Sequence, residues 1–250
     1  MILSDRISEI VESQTLAMTK RSRELKATGV DVINLSIGEP DFDTPKHIIE
    51  AAYQAMLDGY THYPPVSGLP ELRTAIAQKL KRENGFAFEA ENIIVSNGAK
   101  HSLLNAVLSI VNSGDEVLIP APFWVSYPSL IQYAGGVPVE IPSTVESDFK
   151  VSAEQLEAAI TPKTKMIIFS SPCNPSGSVM SESELLAWKN VLIKYPNIFI
   201  LSDEIYEKIN YAGKHCSLAS YPELEGRIAV INGMSKGYAM TGWRMGYLAG

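Results

Sequence analysis

The chain has 250 residues, 46% of them hydrophobic, enough to bury a substantial core in one large domain or two small ones. A formal net charge of −7 without a dense Lys/Arg tract argues against nucleic acid or an anionic membrane as the main partner. Cys173 and Cys216 make no disulfide framework and have no Cys or His at metal-ligand spacing, so no metal is expected. No stretch is apolar and long enough to serve as a signal core or span a bilayer, which leaves a cytoplasmic location as the default expectation.

Residues 13–26 read as a polar helix whose basic run, residues 20–26, is a solvated face. They lead through an apolar run at 32–35 into Ser36-Ile37-Gly38-Glu39-Pro40-Asp41-Phe42-Asp43-Thr44-Pro45, where two prolines and a glycine preclude regular structure. Residues 1–44 are therefore expected to form an arm and part of a small domain, and residues 45–250 a large one. Within the large domain, apolar runs at 93–95, 116–119, 137–141, 166–169, 198–201 and 228–231 predict strands buried on both faces, with a further strand at 245–249. Helices are predicted between them, at 70–84, 100–111, 127–133, 153–160 and 182–194. This alternation implies an α/β fold: a mostly parallel open sheet with helices on both faces.

Ligands of such sheets bind beyond the carboxyl ends of the strands, and those positions are rich in chemistry here. Ser96-Asn97-Gly98-Ala99-Lys100 follows the first strand, a place where small residues let backbone N–H groups and a helix N-terminus approach an anion. Arg244 would add a planar bidentate clamp. Trp124, after the second strand, offers a flat face. Asn174, after the fourth, offers an amide. Asp203 and Tyr206 follow the fifth; a poorly solvated carboxylate there must find a cation or a donor. Lys236, among small residues after the sixth, can condense with a carbonyl and later act as a base if its surroundings lower its pKa. Each group has a plainer reading: a packing turn for Gly98, a structural ion pair or helix cap for Asp203, core packing for Tyr206 and Trp124, an Asn-Pro turn for Asn174. Taken together, they describe a planar, phosphorylated, pyridine-like aldehyde, pyridoxal 5′-phosphate. Neither G-x-G-x-x-G nor G-x-x-x-x-G-K-[ST] occurs, which disfavours dinucleotide and P-loop readings.

From about residue 13 to 250 the chain resembles the class I aminotransferases of the fold-type I pyridoxal-phosphate enzymes, and it is most similar to their bacterial aspartate aminotransferase branch. The resemblance is carried by residues 35–42, Tyr63-Pro64-Pro65-Val66-Ser67-Gly68, Ser96 to Lys100, Asn174-Pro175-Ser176-Gly177, Ser202-Asp203-Glu204-Ile205-Tyr206, and Ser235-Lys236 through Arg244. It implies that Lys236 binds the cofactor aldehyde and acts as the catalytic base, that Asp203 pairs with the ring nitrogen, and that Tyr206 and Asn174 contact the ring oxygen. It further implies that Trp124 stacks on the ring and that Ala99, Lys100, Ser235 and Arg244 hold the phosphate. Gly233 lacks the hydroxyl that some relatives carry three residues before the lysine. Tyr63 would reach the phosphate in a neighbouring subunit, making a homodimer with shared sites. Gly38, Trp124 and Asn174 would receive the substrate, with Ser13, Gln14 and Thr15 near its side chain.

The implied reaction moves an amino group between an L-amino acid, aspartate or a similar one, and a 2-oxo acid such as 2-oxoglutarate, by ping-pong kinetics. Another fold-type I activity, a lyase or synthase, is the alternative, as is a non-catalytic aminotransferase-like sensing domain. The family's α-carboxylate-binding arginine is expected downstream of Gly250, so the sequence is expected to be a fragment of a longer enzyme.

Overall fold

In the computed structural model, Ser4, Ile7 and residues 14–250 are described. The described residues contain a seven-stranded sheet of order β1-β7-β6-β5-β4-β2-β3. Its strands are β1 (Ile93–Ser96), β2 (Glu116–Pro120), β3 (Val137–Ile141), β4 (Thr164–Ser170), β5 (Phe199–Asp203), β6 (Ile228–Gly233) and β7 (Gly246–Ala249). All neighbours pair in parallel except β7, which runs antiparallel between β1 and β6.

Alternation along the strands divides the core into two layers, because successive side chains point to opposite faces. Leu118, Ile167, Phe169 and Ile200 pack on one face against α6 (Ala153–Ala159) and α7 (Glu182–Leu192), with Trp188 at the centre. Ile119, Met166, Ile168, Leu201 and Ile231 pack on the other against α4 (Ala99–Ile110) and α5 (Tyr127–Tyr133). Ser152 and Ser181 each accept the backbone N–H three residues on and close capping boxes, which fixes where α6 and α7 begin. A third cluster joins β7 and β1 to α3 (Pro70–Lys79) through Ile76, Leu80, Tyr247 and Ile93.

Three expectations need correction. Burial on both faces holds for β2, β4, β5 and β6 but not for β1 and β3, which lie at the sheet edges and expose Ile94 and Val137. The helix expected over 70–84 is α-helical only to Lys79; a π turn, Leu80–Asn84, completes it before Gly85 at φ 80°. A helix not predicted, α2 (Lys46–Leu57), has no buried residue and exposes Ile49, Tyr53, Met56 and Leu57. The polar N-terminal helix is α1 (Gln14–Ala27), and the run at 20–26 lies largely in solvent, as expected. Ser13 lies outside the described residues.

Candidate active site

Five strand ends and the N-terminal arm meet in a cavity of about 1070 Å³. Ala99 and Lys100 come from the start of α4, Trp124 from the loop after β2, and Asn174 from the loop after β4. Asp203 and Tyr206 come from the end of β5, Ser235, Lys236 and Arg244 from the segment after β6, and Gly38 from the arm; all line this space. Thr15 does too, whereas Tyr63 is fully exposed and outside it. The side chain of Gln14 is outside the described residues.

Asp203 is the last residue of β5 and points to the α4/α5 side, the same face as Leu201. It is 4% exposed, and its Oδ2 accepts the hydroxyl of Tyr127 at 2.7 Å while the backbone N–H of Ile205 donates to Oδ1 at 3.3 Å. Burial is the dominant effect on its carboxyl and raises it from 3.8 to about 6; the Tyr127 and Ile205 bonds oppose this, and the Glu204 charge adds to it. Near neutral pH it is thus an anion held by two neutral donors, with room for a cationic donor from the cavity. Tyr127, fully buried at the start of α5, was not singled out in the sequence. Its spacing of three from Trp124 hints at a shared face, and the two rings meet edge to face at 5.7 Å.

Two amines stand on the cavity wall. Lys236 donates to the carbonyl of Gly38 and lies 5.8 Å from the Tyr206 ring centroid. Burial pushes its amine below the usual lysine range, with Glu39 opposing the shift and Arg244 assisting it. Lys100 sits 4.7 Å from the Trp124 ring centroid, and burial followed by Arg244 lowers it as well. Tyr206 accepts the Asn174 amide at 3.2 Å, leaving its own hydroxyl proton free to donate; burial and then Asp203 raise its pKa.

Arg244 packs on the glycine turn that precedes α4. Gly98 has φ 85°, which favours glycine, and a Cβ there would fall 2.2 Å from an Arg244 guanidinium nitrogen, so a side chain at this position would displace the guanidinium. Arg244 itself adopts φ 58° and donates to the carbonyl of Thr241 at 2.8 Å. The missing Cβ lets a guanidinium lie against the helix N-terminus.

The model for aminotransferase class I and II matches residues 30–250. An aspartate aminotransferase of Geobacillus stearothermophilus is 48% identical over 252 residues, covering 100% of this chain and 64% of the relative. An aspartate/prephenate aminotransferase of Nitrosomonas europaea is 50% identical over 252 residues, with 100% and 64% covered. The structure of the Thermus thermophilus aspartate aminotransferase with maleate superposes with a TM-score of 0.96 at 42% identity, covering 100% of this chain and 65% of that one. The chain thus spans less than two thirds of the length of the relatives it matches, and the match runs through every strand of the sheet. On this evidence the chain belongs to the aminotransferase class I and II family.

Proposed function

We propose that this chain forms the cofactor-binding part of a pyridoxal-phosphate-dependent aminotransferase acting on an L-amino acid, aspartate or a similar one, and a 2-oxo acid such as 2-oxoglutarate. The observation that carries this reading is one cavity that joins a desolvated amine, Lys236, a buried carboxylate, Asp203, and the anion corner of Gly98, Ala99 and Arg244. The donor set fits the cofactor: a carboxylate for a ring N–H, a phenol and an amide for a ring oxygen, and a Cβ-free turn with a guanidinium for phosphate. When bound, pyridoxal phosphate supplies an aldehyde and an electron-withdrawing ring that stabilises negative charge at the α-carbon of an amino acid.

The residues divide the work. Lys236, its pKa pushed down by burial, is the group that takes a proton from the α-carbon and returns it elsewhere. Asp203 keeps a proton on the ring nitrogen because Tyr127 holds the carboxylate, and among the described residues no lysine or arginine pairs with it. Tyr206, oriented by Asn174, donates towards the ring oxygen. Trp124 covers the ring, Lys100, Ser235 and Arg244 hold the phosphate with the Ala99 backbone, and Gly38, Trp124 and Asn174 receive the substrate carboxylate. Residues 1–44 act as an arm and small-domain segment and 45–250 as the cofactor domain. The homodimer reading is supported by exposed Tyr63 and by the uncovered apolar side of α2. Lys236→Ala is expected to abolish both transamination and the absorbance band of the lysine-linked cofactor. Retention of both in that variant would sink the assignment.

A further inference from the structure

Behind the cavity lies a second cluster that the reading above does not use. Glu204 continues β5 onto the face opposite Asp203 and is 1% exposed at its side chain. Its carboxylate accepts the hydroxyls of Ser202 at 2.9 Å and Ser217 at 2.5 Å, and His215 Nε2 at 2.8 Å. The excursion from residue 204 to 215 carries Tyr206, Ile209, Tyr211 and Ala212 into the cavity, so this carboxylate ties its two ends together. Glu207, within the excursion, is tied to α3 and the π turn by Lys79 and by the Asn84 amide at 2.7 Å. Glu204, Glu207 and His215 bring their ligand atoms within 4.8 Å of one another, but Lys79 already supplies the cation there.

We propose that His215 is a positioning residue: through Glu204 it fixes the turn that presents Tyr206 and balances the charge that reaches Asp203 through the strand. This rests on the assignment of Asp203 and Tyr206 above. The groups that act on the pair are Glu207 on its own segment, Lys79 from α3 and Tyr247 from β7, with Asp203 coupled to Glu204 across the strand. For His215 burial works downward, but the Glu204 bond and the charges of Glu204 and Glu207 outweigh it, with Lys79 opposing, and the imidazole is raised. The Glu204 charge also raises Asp203, so a proton on His215 offsets the field felt at the cavity. Nε2 of His215 faces a carboxylate oxygen, an acceptor, which makes Nε2–H the donor to Glu204, while Nδ1 is buried without a hydrogen-bond partner.

The test is the pH midpoint of the bound cofactor's absorbance in His215→Gln and Glu204→Gln. His215→Gln removes a positive charge and should move the midpoint up by about 0.5 pH unit, while Glu204→Gln removes a negative one and should move it down by about as much. A merely structural role moves both the same way or neither, and that result overturns the proposal while leaving the cofactor assignment intact. Failure of the assignment would show separately, as a band that survives Lys236→Ala. Should neither variant fold, the unsubstituted cofactor-free protein decides. There the His215 ring protons should titrate above about 6.5 in NMR and Tyr206 should shift at the same midpoint. A midpoint at or below 6.5, or no response of Tyr206, overturns it.

Discussion

Asp203 and Glu204 are neighbouring carboxylates at one strand end with contrasting surroundings. Asp203 faces the cavity with one side-chain donor, Tyr127, and one backbone donor. Glu204 faces away and is met by Ser202, Ser217 and His215. A carboxylate with spare accepting capacity in an open cavity is arranged for a ligand. One whose oxygens are taken up by the protein is arranged for the fold. The period-2 geometry of a strand is what lets the two roles sit side by side.

The sharpest way to break this contrast is to delete each carboxylate in turn. Asp203→Ala is expected to slow proton transfer in single-turnover measurements by about 1000-fold or more, because the ring nitrogen loses its anionic partner. The same change should cost less stability than the loss of Glu204, since it strands one buried side-chain donor, the Tyr127 hydroxyl, and removes a desolvated carboxylate. Near-normal single-turnover rates would refute the ring-nitrogen role.

Glu204→Ala should show the reverse emphasis. It strands two hydroxyls and an imidazole that the carboxylate now satisfies, at a cost of about 3 kcal/mol. For a chain of this size that is a fall in Tm on the order of 10 °C. A Tm within about 2 °C of the unsubstituted protein would mean that Glu204 does not tie the excursion down.

How much of this contrast was legible follows from how local each signal is. Strand ends announce themselves, because a short apolar run and the polar residues after it are contiguous; Asp203, Lys236, Trp124 and Asn174 were all found that way, and all line the cavity. Tyr127 was not, since its partner Asp203 is 76 residues away and only the packing of α5 against β5 brings them together. The Glu204–His215 pair escaped for the same reason at shorter range: 11 residues separate the two, and no helical or strand period links them. The insertion of β7 between β1 and β6 is a pairing choice over a long chain separation, which hydrophobic pattern alone does not carry. Helix α2 was legible and not read: Ile49, Tyr53, Met56 and Leu57 recur at the spacing of one helical face.

The smallest effect separates the two sides by pH, and its sign can be worked out for each. Asp203 has a folded pKa of about 6 against an unfolded 3.8, so the folded cofactor-free protein binds this proton more tightly. From this group, stability falls as pH rises from 3.8 to about 6 and is level above that. His215 is also raised, but as a base: its contribution is fully present below the ordinary histidine pKa of about 6.5 and is lost as pH rises through its folded value. The two groups therefore act in the same direction in successive windows. Chemical denaturation of the cofactor-free protein across pH should show Asp203→Asn flattening the lower window and His215→Gln the upper one. If Asp203→Asn flattened the upper window instead, that window would belong to the cavity carboxylate and not to His215.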